Sequence, residues 1–248
     1  MSIVFFGSSE FSPLILPNLK EFEIELVVDE KTDLEDIQKT KAEVAVLAAY
    51  GKILPKKVLD YFKYGILNIH PSLLPKYRGP TPVQSAILNA DKETGVSIIK
   101  LDEKMDHGPI LAQIKEKILK DDTAKSLYER LFKIGADLLY QNIKQYVKGD
   151  LKLREQNHQK ATFTKLLTKK DGYFYLNSPP SLEKLDLMTR AYFPWPGTWT
   201  RSTINNKSSI IKFLPQKKLQ IEGKKPVSYK DFLNGYPNLD KRLLLLLQ

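Results

Sequence analysis

The stretch "LNIHPSLLPKYRGPTP", residues 67–82, sets Asn68 and His70 two residues apart at the end of an apolar run, with Pro71 directly after. Alternate residues of a strand share a face, so the amide and the imidazole project together from one strand end. Beyond them the chain becomes basic and turns, through Lys76, Arg78 and Gly79. In an open α/β sheet, ligands bind outside the carboxyl ends of the strands, and this segment has the makings of such an end.

The flanking pattern supports that sheet. Residues 3–6, 24–28, 44–49 and 65–69 are short apolar runs that read as buried strands. The first ends at Gly7-Ser8-Ser9, a turn leading into a helix, and residues 30–41 carry Leu34, Ile37 and Gln38 at helical spacing. After the opening stretch, Thr81 is a helix cap with Pro82 at the first helical position and Gln84 three after the cap; Val83, Ala86, Ile87 and Ala90 share a face. Residues 95–101 form another strand, and 110–118 alternate as a half-exposed strand does. Leu127, Leu131, Ile134 and Leu138 mark a long amphipathic helix over 123–147, stopped by Gly149. The expectation is an α/β domain over residues 1–150: an open, mostly parallel, Rossmann-like sheet with helices on both faces. A polar, basic linker over 151–164 then leads to a small basic domain over 165–248. There, residues 180–190 are helical and Phe193-Pro194-Trp195-Pro196-Gly197 is a rigid turn.

A chain of 248 residues with 42% hydrophobic content can bury one large core and a smaller appendage. The lack of cysteine excludes disulfide frameworks and thiolate chemistry and fits a reducing cytosol, while three histidines leave little room for zinc, so no metal is expected. Residues 1–18 have neither a basic leader nor a long apolar stretch, and the closing "KRLLLLLQ" is too short to cross a bilayer. A cytoplasmic monomer without membrane attachment is expected. The net charge of +10 is localised. Lys and Arg against Asp and Glu number 12 and 13 in residues 1–100, 9 and 9 in 101–150, and 18 and 7 in 151–248. Basic excess confined to one end is the footprint of a polyanionic partner.

The chemistry is carried by three residues. Asp106, in "LDEKMDHGPIL", precedes Gly108 and Pro109 in a turn after the next strand, from which it can meet Asn68 and His70 in one cleft. An amide, an imidazole and a carboxylate, with no nucleophilic Cys or Ser motif, suit direct acyl transfer to an amine. Asn68 and a protonated His70 would donate to the tetrahedral oxyanion, each donor of this kind contributing roughly 100- to 1000-fold in rate. A carboxylate at Asp106 would favour the imidazolium and relay the proton leaving the amine.

"NIHPSLLPKYRGPTPVQSAILNADKETGVSIIKLDEKMDHGPILAQ", residues 68–113, resembles the central signature of the folate-dependent formyltransferases. "FFGSSEF" at 5–11 is similar to that family's first strand and turn, and "AAYGKILP" at 48–55 to its folate-pocket loop. Arg78 to Gln84 and Glu93-Thr94-Gly95-Val96 favour its tRNA and sugar branches. "AYFPWPGTW" at 191–199 and "LQIEGKKPVSYKDFLNGYP" at 219–237 resemble the segments that open and close the C-terminal domain of the tRNA branch. The resemblance implies Asn68, His70 and Asp106 as catalytic residues and 10-formyltetrahydrofolate as donor. It implies backbone contacts to the pterin near Lys52, Ile53 and Leu54, with Tyr50 and Leu59 as candidate walls. Ser72, Leu73, Leu74 and Pro75 would hold the chain beside the reacting groups. Gly7 would face the acceptor site, and Lys76, Arg78 and Gly79 would lie at the cleft mouth, where cations attract phosphates. The implied acceptor is methionine on initiator tRNA.

Two departures stand out. The longer basic loop that the tRNA branch carries after the second strand is replaced here by the short, partly acidic 29–41. Only about 25 residues separate Gly197 from Glu222, too few for a full small barrel, so a reduced β-barrel is expected. A nucleotide-sugar N-formyltransferase and a non-catalytic RNA-binding protein on this fold remain as alternatives.

Overall fold

The computed structural model describes every residue except 8, 9, 206, 238 and 248; the turn expected at Gly7-Ser8-Ser9 therefore lies partly outside the described residues. The chain condenses into two compact units. The first comprises Met1–Pro82, Lys92–Lys117 and Tyr128–Lys165, the second Val83–Asp91, Ile118–Leu127 and Leu166–Gln248.

In the first unit the apolar runs become β1 (Ser2–Phe6), β2 (Glu23–Val28), β3 (Ala45–Leu47) and β4 (Ile66–His70), followed by β5 (Glu93–Lys100) and β6 (Ile110–Lys117). The sheet order is β2-β1-β3-β4-β5-β6. β1 pairs in parallel with β2 and β3, and β3 with β4, while β5 is antiparallel to both neighbours. Five of the six strands thus run one way, and the mostly parallel sheet is as expected. β6, at the edge, is the strand whose polar residues alternate; its Lys115 pairs with Glu93 of β5 and its Glu116 with Arg130.

Alternation in β4 gives its two faces different work. Ile66 packs with Val4, Phe6, Ala45 and Leu47 in one core, under Ile37, Phe62 and Val58 of the short helix α1 (Lys56–Leu59). Asn68 and His70 continue that same face. Ile69 faces the other way, toward the helix that the sequence marks most strongly. Within that helix a Cβ on Gly135 would stand 2.4 Å from Ile69 Cγ2 and 3.0 Å from Val96 Cγ1, so glycine is what lets helix and sheet approach this closely. Helices therefore cover both faces.

Three local expectations change. Between β1 and β2 the chain makes two 3-10 turns, Ser12–Leu14 and Leu16–Leu19, because Pro13 and Pro17 supply no N–H to sustain an α-helix. The helix expected over 30–41 is a 3-10 segment, Leu34–Lys39, started by Asp33, which accepts the Glu35 N–H, and ended by Thr40, which donates to the Ile37 carbonyl. Helix α2 (Pro82–Leu88) stops before Ala90, which adopts φ 53° while Asp91 N–H closes on the Ala86 carbonyl. The long helix α3 (Ala124–Lys148) ends by the same device at Gly149, φ 86°, as its sequence predicts.

Residues 151–164, expected as a linker, belong to the first unit. Ile110 and Arg154 exchange backbone hydrogen bonds of 2.8 Å, and Arg78 is bracketed by Thr162 and Thr164.

The second unit contains α4 (Leu182–Ala191), capped by Ser181, and, in place of the reduced β-barrel expected there, an open four-stranded antiparallel sheet. Its strands are β7 (Thr198–Ile204), β8 (Lys207–Leu214), β9 (Lys218–Ile221) and β10 (Val227–Ser228), followed by α5 (Tyr229–Gly235) and α6 (Lys241–Leu246). Phe174, Leu185, Ile211, Phe213, Leu219 and Phe232 form its core. The closing leucines are not a membrane element: Leu243, Leu246 and Leu247 complete this core. Among the described residues no helix is long and apolar enough to cross a membrane.

Candidate active site

Asn68 and His70 are 7% and 4% exposed at the carboxyl end of β4. Because β5 runs against β4, its loop leaves at the opposite end and must fold back to reach them. It does so tightly: Lys100 N–H donates to the Pro109 carbonyl at 3.0 Å, and a Cβ on Gly108 would stand 1.9 Å from the Lys100 carbonyl oxygen. Asp106, in the left-handed region at φ 48°, then turns its carboxylate over the polar face of β4.

The three residues meet. Asp106 Oδ1 lies 3.4 Å from His70 Nδ1 and accepts from Asn68 Nδ2 at 3.4 Å, while Oδ2 accepts the Gly79 N–H at 2.7 Å. On its other side His70 Nε2 is 3.1 Å from the Tyr77 carbonyl oxygen. Both ring nitrogens thus face acceptor oxygens. Burial excludes water from these groups, which strengthens their effect on any charge that develops beside them.

The 71–76 loop is fastened by two residues that sequence reasoning missed. Ser97 pairs with His70 across the strands; its Oγ donates to the Ser72 carbonyl at 2.6 Å and accepts from Leu74 N–H at 3.0 Å. Gln113 Nε2 donates to Ser97 Oγ and to the Leu74 carbonyl, both at 2.8 Å. Ser72 Oγ itself closes on the Lys76 carbonyl at 2.6 Å. The available signal was a serine within the otherwise apolar run of β5.

The 52–54 segment splits. Lys52 and Ile53 are exposed, Ile53 at 85%, whereas Leu54 is buried in the core beside Val58. The Lys52 ammonium meets the Glu30 carbonyl. Tyr50 packs edge-on against Phe6, and Leu59 borders the same core. Gly7 ends β1, its N–H donating to the Val28 carbonyl; a Cβ there would stand 2.6 Å from Ser12, whose hydroxyl donates to the Ala48 carbonyl.

The cations of the loop separate likewise. Lys76 is exposed, with its ammonium 4.7 Å from the Tyr77 ring centre. Arg78, expected at the cleft mouth, instead turns inward and is 3% exposed. Its Nε and Nη2 donate to Gln156 Oε1 at 3.2 and 2.7 Å, and Nη2 also reaches His158 Nδ1 at 2.7 Å. Burial lowers the Arg78 pKa, against the opposing pull of Asp106 and Asp102. Desolvation, with the neighbouring His107 and Arg78, holds His158 below its ordinary value. His107 stacks parallel on His158 at 4.0 Å and meets Asp102 Oδ2 through Nδ1 at 2.6 Å. Gly79 is the donor to Asp106 Oδ2.

The sequence profile of the family described as Formyl transferase matches residues 12–143, which include Asn68, His70 and Asp106. The methionyl-tRNA formyltransferase of Chloroflexus aurantiacus is 48% identical over 169 residues, 68% of this chain and 54% of its own length. The chain thus spans about half the length of the curated relatives it matches. Among solved structures, methionyl-tRNA formyltransferase from Clostridium thermocellum aligns with a TM-score of 0.69 at 18% identity, covering 92% of this chain and 96% of that one. HypX from Aquifex aeolicus in complex with tetrahydrofolic acid aligns at 0.71 and 14% identity, covering 93% and 46%. These two likenesses show the fold.

Proposed function

The chain belongs to the formyl transferase family, and from that membership we propose that it transfers a formyl group from 10-formyltetrahydrofolate to the free amino group of methionine on initiator tRNA, for translation initiation. The observation that carries this reading is the meeting of Asn68, His70 and Asp106 at one nearly buried point. The identity to a relative named methionyl-tRNA formyltransferase supports the acceptor, and the folate bound by HypX supports the donor.

In the reaction the methionine nitrogen attacks the formyl carbon, and the carbonyl oxygen becomes an oxyanion. The Asn68 amide donates to it through its second N–H, and the His70 imidazolium, whose two N–H groups face Asp106 and the Tyr77 carbonyl, adds positive charge beside it, the preorganised stabilisation that acyl transfer most needs. The carboxylate of Asp106 compensates the imidazolium and takes up the proton released by the attacking amine. As the tetrahedral species collapses, the bond from carbon to the folate nitrogen breaks. That nitrogen keeps the electron pair and receives a proton, so no net proton is consumed.

Backbone groups of residues 52–54 and the fastened 72–75 loop form the donor side, where the exposed Ile53 offers an apolar surface to a pterin. Gly7 and the exposed Lys76 lie toward the acceptor. The basic excess of residues 151–248 holds the RNA backbone.

The test offers the purified chain 10-formyltetrahydrofolate with charged initiator tRNA, and separately with a panel of nucleotide-linked amino sugars. Formylation of the tRNA is expected; preference for the sugars would overturn the acceptor, and inactivity with both would overturn the reaction.

A further inference from the structure

We propose that Gln156 is a positioning residue for the transfer, fixing the Asp106 carboxylate against His70 from the far side of the turn that carries it. The proposal rests on the catalytic reading of Asp106.

Gln156 is 5% exposed, and every hydrogen-bonding position of its amide is used. Oε1 accepts from Nε and Nη2 of Arg78, at 3.2 and 2.7 Å. Nε2 donates to the carbonyls of Asp106 and Gly108, at 2.9 and 2.7 Å. The orientation of the amide is not ambiguous, because a guanidinium only donates and carbonyls only accept. A glutamine buried and saturated in this way does more than fill space.

Its partners locate its task. One N–H grips the carbonyl of Asp106 itself, the residue held at φ 48°, where a non-glycine backbone needs outside support. The other grips Gly108 and so spans the turn. The carbonyl side holds Arg78, whose neighbour Gly79 supplies the N–H that fixes Asp106 Oδ2. One amide therefore ties together both backbone segments that aim the carboxylate. Gln156 touches neither Asn68 nor His70 through any of these bonds, so its influence passes through Asp106.

The segment that carries Gln156 is itself anchored. Arg154 exchanges paired backbone bonds with Ile110, just past the turn, and farther along the Arg78 carbonyl accepts from Thr164 N–H. The amide is thus presented from a backbone registered on both loops that it joins. Preorganisation of this kind matters because displacement of a reacting group by about 1 Å can cost on the order of 100-fold in rate.

The test compares Gln156→Met, which keeps most of the volume and removes all four bonds, with Gln156→Glu, which keeps an acceptor for Arg78 and loses the donors to the two carbonyls. Ring nitrogen NMR shifts of His70 are recorded in both and in Asp106→Asn, alongside thermal melts and steady-state kinetics. The expected result is folded protein, kcat lowered about tenfold or more with KM for both substrates within about threefold, and His70 signals displaced toward their Asp106→Asn positions. His70 signals unmoved from the parent, a loss confined to KM, or failure of both variants to fold would overturn the proposal. The NMR readout does not depend on turnover: displaced His70 signals in a parent that transfers no formyl group would support the positioning role while sinking the proposed reaction.

Discussion

His70 Nδ1 stands 3.4 Å from Asp106 Oδ1 although the strand between them delivers its loop to the wrong end of β4. The contact exists because that loop doubles back, and the doubling back is fastened at Lys100, Gly108 and Gln156. A catalytic pair of this sort is a property of the loop's closure as much as of the two side chains.

Replacing His70 by Ala removes the positive charge proposed beside the oxyanion and a buried hydrogen bond together. The expected outcome is a kcat lower by roughly 100- to 1000-fold. The Tyr77 carbonyl loses its partner, which costs about 1–3 kcal/mol of stability. Steady-state formyl transfer and a denaturant titration read the two effects separately, and a kcat within tenfold of the parent would take His70 out of the chemistry.

Ser97→Ala is expected to act on the donor side. The Ser72 carbonyl and Leu74 N–H lose their hydroxyl partner inside the protein, each at about 1–3 kcal/mol before relaxation. The loop they fasten loosens, so KM for the folate donor should rise more than kcat falls. An unchanged donor KM in a measurably destabilised protein would separate this loop from folate binding.

Gly79→Ala and Gly223→Ala form a matched pair. Both glycines have positive φ, 109° and 76°, but only Gly79 would also press its Cβ to 2.8 Å from Thr164 Oγ1 and 2.9 Å from its carbonyl oxygen. Gly223→Ala should cost about 1–2 kcal/mol from backbone conformation alone. Gly79→Ala should cost more than that and lower activity, since the Gly79 N–H moves away from Asp106. Equal denaturation midpoints for the two variants would contradict the packing.

If residues 151–248 hold RNA through phosphates, log Kd should vary linearly with log salt, and each lysine that contacts a phosphate should take about one unit from the slope when neutralised. Lys217, Lys218 and Lys225 are exposed and suited to this. Gel-shift titrations of Lys→Gln variants at several salt concentrations supply the slopes, and slopes identical to the parent's would exclude these three as contacts.

How much of the fold and the site was legible in the sequence depends on the range of the forces involved. The strands β1, β3 and β4 and the helix α3 were readable because burial imposes a period on apolar residues. Asn68 and His70 were readable because two polar residues interrupt that period at a strand end. Arg78 misled because a buried guanidinium and an exposed one look alike in a sequence; what turned it inward is Gln156, far along the chain in a stretch with no apolar pattern. Ser97 and Gln113 were missed for a related reason, since their value lies in reaching the backbone of another loop. The helix expected after β1 shrank to 3-10 turns because Pro13 and Pro17 act within a few residues, and the one expected over 30–41 is confined between its Asp33 cap and Thr40.

His158 makes the folded state less stable as pH falls. Desolvation, His107 and Arg78 lower its pKa in the folded chain from 6.5, and its Nδ1 receives a hydrogen bond from Arg78 that a protonated nitrogen cannot accept. As pH falls through 6.5 the unfolded chain takes up this proton before the folded one does, so the unfolded state is favoured. The stabilisation is fully present above 6.5 and is lost as pH drops toward the lowered folded value. In His158→Gln a side-chain oxygen can accept from Arg78 without titrating. The denaturation midpoint of the parent should therefore decline between about pH 7 and about pH 5 more steeply than that of the variant. Parallel declines would mean that the Arg78 to His158 bond contributes nothing to the acid sensitivity of the fold.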